Sequence, residues 1–214
     1  MINHLFSVSV LFLLIQPAFC EPGKGEVKSH KIEEALSEIV AQANIPGMIA
    51  AISSSNGILA SGISGIRKIG TNENLTIQDL THLGSCTKPM TSVLIGTLVS
   101  EGKLSWETRL VEAIPELKDN IHRDYHTINI WEMLTHRAGL KANAENWWGH
   151  GKVELKKRRL LIVQENLKKT SHITRGSYHY SNLGYLIASC IAEKVTDSTW
   201  ESLMQKRVFK PLEM

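Results

Sequence analysis

Ser85 and Lys88 are the first residues of this chain whose types and spacing could support catalysis. They precede Pro89, and the apolar residues from Val93 to Val99 leave the following stretch with little polar face. A proline is tolerated in the first turn of a helix, and residues three apart lie on one helix face. The pattern therefore predicts a buried helix whose first turn holds the Ser85 hydroxyl beside the Lys88 ammonium, a nucleophile next to a potential base.

A Ser-x-x-Lys spacing is a weak signal by itself, because it is expected by chance roughly once in a chain of this size. The chain contains a second match, Ser100 and Lys103, which are separated by the helix-ending residue Gly102. Ser85 also fits a purely structural role as an N-cap, with Lys88 as a solvated residue of the first turn. On spacing alone, this structural interpretation is the stronger one.

Two further groups of residues could carry chemistry. Tyr180 and Asn182 precede another apolar helical segment, although a cap at Ser181 beside a surface aromatic residue explains the same pattern. His122 and His126 have the four-residue spacing of zinc ligands on a helix. No third ligand is spaced to match them, so two surface histidines is the preferred interpretation.

The elements that must position these residues follow from periodicity and turn signals. Apolar residues recur at helical spacing over residues 32–40, and two strand patterns at 48–53 and 58–66 flank Asn56-Gly57, a strong hairpin signal. From residue 103 onward the pattern predicts only helices and loops. Because a two-stranded hairpin is marginally stable alone, we expect the chain to stop before its fold is complete.

The composition is that of a globular protein. Of the 214 residues, 43% are hydrophobic and 21% are charged, which argues against disorder. The formal net charge of +3 is too small to indicate a nucleic-acid partner. The one basic run, from Lys156 to Arg159, is expected on the exposed side of a helix over residues 152–168.

Residues 1–20 have the pattern of a secretory signal peptide. An apolar segment too short to span a bilayer is followed by small residues at the positions that signal peptidase reads, although no Lys or Arg precedes it. Cleavage after Cys20 would give a secreted or periplasmic protein without a membrane span; an uncleaved anchor is the alternative.

After such cleavage two cysteines remain, Cys86 and Cys190. We expect them to be two small buried side chains, and the sequence does not decide whether a single disulfide joins them.

The order of four motifs makes the chain recognisable. In chain order, these motifs are residues 85–88 (SCTK), 134–140 (LTHRAGL), 180–185 (YSNLGY) and 209–214 (FKPLEM). With them the chain resembles the serine β-lactamase and penicillin-binding-protein superfamily, in its class C branch, from about residue 32 onward.

The resemblance implies an α+β fold of β-lactamase/transpeptidase type. The expected fold is incomplete, with an N-terminal helix and hairpin, a mainly helical domain, and no C-terminal sheet strands. The expected division of the chain is a signal peptide over residues 1–20, the first part of the α/β domain over 21–80, and a helical domain over 81–214.

The resemblance also implies a role for each candidate site residue. Ser85 would be the nucleophile, with Lys88 hydrogen-bonded to it and assisting its deprotonation. Tyr180 would be the phenolic base or proton shuttle, which requires a nearby cation such as Lys88 because tyrosine ionises near 10 in water. Asn182 would orient Lys88 and bind the amide side chain of a substrate. The implied substrates are β-lactams, D-Ala-D-Ala peptides or esters, with no metal or other cofactor, and the oligomeric state stays open.

One motif of this superfamily does not occur after Tyr180, namely Lys-Thr-Gly or His-x-Gly on an edge strand of the sheet. In the superfamily that strand supplies the second oxyanion-hole N–H, and losing one such donor commonly lowers the rate by about 100- to 1,000-fold. Two hypotheses follow. The first is a β-lactamase-related serine hydrolase that acts through an acyl-enzyme. The second is a truncated, non-catalytic remnant or interaction protein of the same family, and we expect the chain alone to be inactive or poorly active.

Overall fold

The computed structural model describes residues 29–214 and divides them into two compact units, with the boundary between Thr81 and His82. The predicted signal peptide, residues 1–20, lies outside the described residues. Within residues 29–214, no helix combines the length and the apolar character needed to cross a membrane.

The first unit contains a helix and a hairpin. Helix α1 (Ser29–Ala43) is followed by the antiparallel strands β1 (Gly47–Ser54) and β2 (Gly57–Gly65). The helix approaches β2 so closely that a Cβ atom at Gly62 would lie 2.8 Å from Cγ2 of Ile32. The helix and hairpin predicted from the sequence are both present. β1 and β2 are also the only strands in the described part of the chain, so that part has an α+β fold.

The second unit is helical. It begins with a 3₁₀ turn, Gly84–Cys86, and ends with a π turn, Gln205–Phe209, and a 3₁₀ turn, Lys210–Leu212. Between them run α2 (Thr87–Ser100), α3 (Leu110–Ala113), α4 (Ile130–Leu134), α5 (Leu155–Asn166), α6 (Asn182–Thr196) and α7 (Trp200–Met204).

Helix α6 is the centre of this unit, because α2, α3, α4, α5 and α7 all contact it. Ile187 and Ile191 of α6 are fully buried, as are Leu94 and Leu98 of α2. Burying an aliphatic side chain of this size contributes about 1.5–3 kcal/mol. The packing of α2 against α6 therefore holds their N-terminal ends, and the side chains at those ends, in a fixed relation.

Two expectations about helix faces are wrong. Val93 is 53% exposed, because α2 packs through the stripe that contains Leu94 and Leu98 and presents its opposite side outward. In the basic run, the side chain of Arg159 is only 14% exposed. It pairs with Glu193, a carboxylate buried in α6, so this part of the run faces the core rather than solvent.

The two described cysteines are both free, so the disulfide that the sequence left open does not form. Cys190 is buried in α6, as expected, and burial raises the pKa of its thiol, which keeps the thiol protonated. Cys86 lies in the 3₁₀ turn before α2 and is partly exposed, so the expectation of two buried cysteines holds for Cys190 alone.

Candidate active site

Ser85 lies in the 3₁₀ turn that leads into α2, and its side chain does not cap the helix. The residue at the N-cap position of α2 is Cys86, which makes no side-chain capping bond. The Ser85 Oγ instead accepts hydrogen bonds from Lys88 Nζ at 3.0 Å and from the Tyr180 hydroxyl at 2.6 Å. The N-cap interpretation of Ser85 is therefore wrong, and its hydroxyl is the point where two other polar side chains converge.

Lys88 lies one helical turn beyond Ser85 and connects it to α6. Its ammonium donates to Asn182 Oδ1 at 2.6 Å in addition to Ser85. The same nitrogen lies 4.7 Å from the ring centre of Tyr180 and 5.5 Å from that of Tyr185, within the range of cation–π attraction. Lys88 is thus held by directed hydrogen bonds on one side and aromatic faces on the other.

Asn182 is the first residue of α6, immediately after the N-cap Ser181. Its Nδ2 donates to Asn143 Oδ1 at 2.6 Å, and its backbone N–H donates to the Ala142 carbonyl at 2.7 Å. These bonds leave Oδ1 directed at Lys88. The amide orientation of Asn182 is therefore fixed by the loop that carries Asn143, a residue that the sequence reasoning did not single out.

His136 is a second residue that the sequence reasoning did not assign to the site. Its Nδ1 accepts the backbone N–H of Ser181 at 3.0 Å, and its carbonyl accepts the N–H of His179 at 2.8 Å. Its ring lies 4.5 Å from the ring of Tyr180, centre to centre. The available signal was the motif over residues 134–140, which contains His136 and lies between the Ser85 and Tyr180 segments.

The pKa values in the site follow from burial and from the charge of Lys88. Burial raises the pKa of Tyr180, but the neighbouring Lys88 ammonium and Ser85 hydroxyl outweigh this effect and leave that pKa below its ordinary value. Burial, reinforced by Lys88, lowers the pKa of His136. A neutral His136 keeps Nδ1 free to accept the Ser181 N–H.

A cavity of about 500 Å³ opens at these residues. Its lining includes Ser85, Lys88 and Asn182 together with Trp147 and Trp200. This volume lies within the range of small-molecule sites in proteins. Ser85 is thus accessible to a ligand rather than enclosed in the core.

The other sequence candidates do not form sites. Lys103 pairs with Glu101 at 3.0 Å, so the second Ser-x-x-Lys match has no arrangement like that of Ser85. His122 accepts the backbone N–H of Asp124 and caps a short 3₁₀ turn. Nowhere in residues 29–214 do three or more His, Cys, Asp or Glu side chains cluster in a way that could hold a metal ion.

The arrangement brings together all four residues predicted from the sequence. Ser85, Lys88, Tyr180 and Asn182 form one connected group of hydrogen bonds, although 94 residues separate Lys88 from Asn182 along the chain. A hydroxyl beside an ammonium and a phenol of lowered pKa can lose its proton to the phenol oxygen when that oxygen is ionised. The chemistry available is that of an activated serine nucleophile.

Comparison with known proteins agrees with this geometry. The family model described as Beta-lactamase matches residues 32–214. The chain is 25% identical over 200 residues to unguisins hydrolase ungD' of Aspergillus campestris and 25% identical over 182 residues to penicillin-binding protein 4 of Amycolatopsis lactamdurans. These alignments cover 89% and 84% of the chain, but only 37% and 46% of the two relatives, so the chain spans less than half of either protein.

Among solved structures, the fold is similar to that of a class C β-lactamase from Rhodobacter sphaeroides, with a TM-score of 0.69. The superposition covers 85% of this chain and 48% of the other, at 17% sequence identity. A structural similarity at 17% sequence identity shows the fold alone. The family model, in contrast, matches nearly all of the described residues. The chain therefore belongs to the Beta-lactamase family, within the serine β-lactamase and transpeptidase superfamily.

Proposed function

We propose that this chain carries the nucleophilic site of a serine hydrolase that works through an acyl-enzyme. One observation above all supports the proposal: Ser85 Oγ accepts hydrogen bonds from both Lys88 and Tyr180. A serine hydroxyl is a poor nucleophile unless a base lies beside it. An N-cap role would need neither of these two partners.

In the proposed reaction Tyr180 is the proton carrier. When Tyr180 is ionised, the Ser85 hydroxyl donates to the phenolate, loses its proton as Oγ attacks the substrate carbonyl, and forms the Oγ–C bond. The C–N bond of a lactam or peptide, or the C–O bond of an ester, then breaks, and the leaving group takes the proton from Tyr180. Water next attacks the acyl carbon and gives a proton to the ionised Tyr180, and the bond between Oγ and the acyl carbon breaks as Ser85 takes that proton back. The acid is released, and Tyr180 is again ionised.

Lys88 and Asn182 support this reaction electrostatically. The Lys88 ammonium stabilises the Tyr180 phenolate, and Asn182 holds the ammonium in position through the 2.6 Å bond to its Oδ1. Negative charge that develops near Ser85 also lies close to the N-terminal end of α2, where the helix dipole is positive. We propose β-lactams, D-Ala-D-Ala peptides or esters as the substrate classes, in keeping with a family that includes hydrolases and penicillin-binding proteins.

Covalent labelling with a fluorescent penicillin tests the proposal, with long incubation so that slow acylation registers. We expect label on the wild-type protein and none on Ser85→Ala. The matched control is Ser100→Ala, which removes the serine of the second Ser-x-x-Lys match at the far end of α2 and should keep the label. Folded wild-type protein that takes up no label would contradict the proposal and favour a non-catalytic member of the family.

We also propose that the protein is exported and that residues 1–20 are removed after Cys20. The support is the short apolar segment followed by small residues at the cleavage position. N-terminal sequencing of protein recovered from a secreting host would then begin at Glu21. Recovery of chains that still begin at Met1 would overturn this proposal.

A further inference from the structure

Three tryptophan side chains line the site cavity. Trp147, Trp148 and Trp200 line the cavity of about 500 Å³ that also contains Ser85, and they are three of the five tryptophans in the chain. Trp147 follows Asn143 in the loop after α4, whereas Trp200 begins α7. Large flat apolar walls of this kind favour aromatic ligands, because ring-to-ring contact adds to the gain from apolar burial.

Of the two cations in the cavity wall, Arg159 is already neutralised and Lys88 is not. The Arg159 guanidinium pairs with Glu193 through Nη1 and with Glu201 through Nη2. The Lys88 ammonium is engaged by Ser85 and Asn182. Arg159, whose guanidinium carbon lies 6.0 Å from the Trp200 ring centre, is therefore not left to attract a carboxylate on an aromatic group, which would lose its hydration there without gaining a new partner. Lys88 has only neutral partners and keeps its positive charge beside Ser85.

From these two observations we infer that the cavity receives a neutral aromatic group carried by the substrate close to its reacting carbonyl. The inference rests on the proposed role of Ser85, since that residue identifies which end of the cavity holds the carbonyl. Asn182 and Lys88 then face the polar part of the substrate, and Trp147 and Trp200 contact its ring. Among the proposed substrate classes, the preferred members carry a neutral aromatic group on their acyl part rather than a small aliphatic or a charged one.

Binding of three small probes to the Ser85→Ala protein tests the inference without requiring catalysis. The probes are 3-phenylpropanamide, propanamide, which lacks the ring, and 3-(4-carboxyphenyl)propanamide, whose ring carries a negative charge; dissociation constants are measured by ligand-observed NMR titration. Burial of the ring should make the aromatic amide bind about tenfold more tightly than propanamide, or better. The carboxylate should bind no more tightly than propanamide.

Variants of the cavity wall locate the binding. Trp147→Ala and Trp200→Ala should each weaken binding of the aromatic amide by about tenfold and leave propanamide unchanged. The Trp200 ring centre lies 6.0 Å from the Arg159 guanidinium carbon, so the loss of this ring could disturb the fold. Trp147 lies in a loop and provides the second variant. Trp131→Ala is the matched control, because Trp131 is half exposed and lines a different cavity.

Equal binding of the aromatic and aliphatic amides would overturn the inference, as would tight binding of the carboxylate. Full affinity in both folded cavity variants would do the same. These outcomes are distinct from failure of the proposed function, because that failure is read from missing covalent label on the wild-type protein, whereas probe binding is measured on a protein without the nucleophile.

Discussion

Replacing His136 with Asn or with Phe separates the two contacts that this side chain makes with the segment of Tyr180. Nδ1 of the imidazole accepts the backbone N–H of Ser181 at 3.0 Å, and the ring lies 4.5 Å from the Tyr180 ring. Asn carries an acceptor oxygen at the place of Nδ1 but has no ring. Phe keeps a ring but has no acceptor.

The larger loss of stability is expected for Phe. Ser181 is 2% exposed, and leaving its buried N–H unpaired costs about 1–3 kcal/mol. His136 has a φ of 62°, a left-handed conformation that Asn adopts more readily than Phe, for which the strain adds roughly 1 kcal/mol. The free energy of unfolding should thus fall by about 2–4 kcal/mol in His136→Phe. His136→Asn loses mainly the ring contact, about 0.5–1.5 kcal/mol.

Urea unfolding followed by circular dichroism measures these differences, with His172→Asn, at an exposed loop position, as the control for losing a histidine. Penicillin labelling of the same variants supplies a second measurement. The Asn variant should label Ser85 more slowly than the wild type, because the Tyr180 ring loses its neighbour. An Asn variant less stable than the Phe variant would refute the reasoning, since the ring contact would then outweigh the buried hydrogen bond.

Acid affects the same hydrogen bond. Burial and the nearby Lys88 charge lower the pKa of His136 below its unfolded value of about 6.5. Protonation occupies Nδ1, which can then no longer accept the Ser181 N–H. The contribution of His136 to stability is therefore complete above pH ~6.5 and is lost as the pH falls through the lower folded-state pKa. The stability difference between wild type and His136→Asn should shrink in acid, and a difference that grows would contradict this account.

Two further predictions concern the buried carboxylate of α6 and the phenol of the site. Glu193→Ala removes an acceptor from Arg159 inside the core and should lower the free energy of unfolding by about 3 kcal/mol. In contrast, Glu193→Gln should cost about 1 kcal/mol or less, because burial already raises the Glu193 pKa; equal losses in urea unfolding would contradict this. Tyr180→Phe should slow labelling of Ser85 by about 100- to 10,000-fold. Because the pKa of Tyr180 is lowered, the wild-type labelling rate should rise with pH and level off below pH ~10, and an unchanged rate in Tyr180→Phe would exclude Tyr180 as the proton carrier.

Much of the secondary structure could be predicted because its signals are local. The apolar spacing over residues 32–40 lies inside α1, and Asn56-Gly57 lies at the hairpin turn between β1 and β2. Gly102, with a φ of 69°, follows the end of α2 as expected of a helix-ending glycine. Each of these features depends on neighbouring residues alone, so no knowledge of the packing was needed.

Predictions that depended on which face of a helix meets the core were less successful. Val93 is followed directly by Leu94 and Ile95 in a mainly apolar stretch, yet it is exposed, because only one stripe of α2 packs inward. Arg159 is one of four consecutive basic residues, and nothing within that run distinguishes it as the one that pairs with buried Glu193. Periodicity indicates that a helix has faces, but the neighbouring helices decide which partner each face receives.

The sequence by itself determined that Ser85 and Lys88 would be neighbours, because three residues of helix bring them to one face. With its ordered motifs, it also indicated Tyr180 and Asn182 as members of the same site. Only the tertiary structure decided how these residues are held, since α2 must pack against α6 before Lys88 can reach Asn182 Oδ1. The contacts of His136 and Asn143 were likewise outside the reach of sequence patterns, because hydrogen bonds and ring contacts of this kind depend on side-chain positions set by the assembled core.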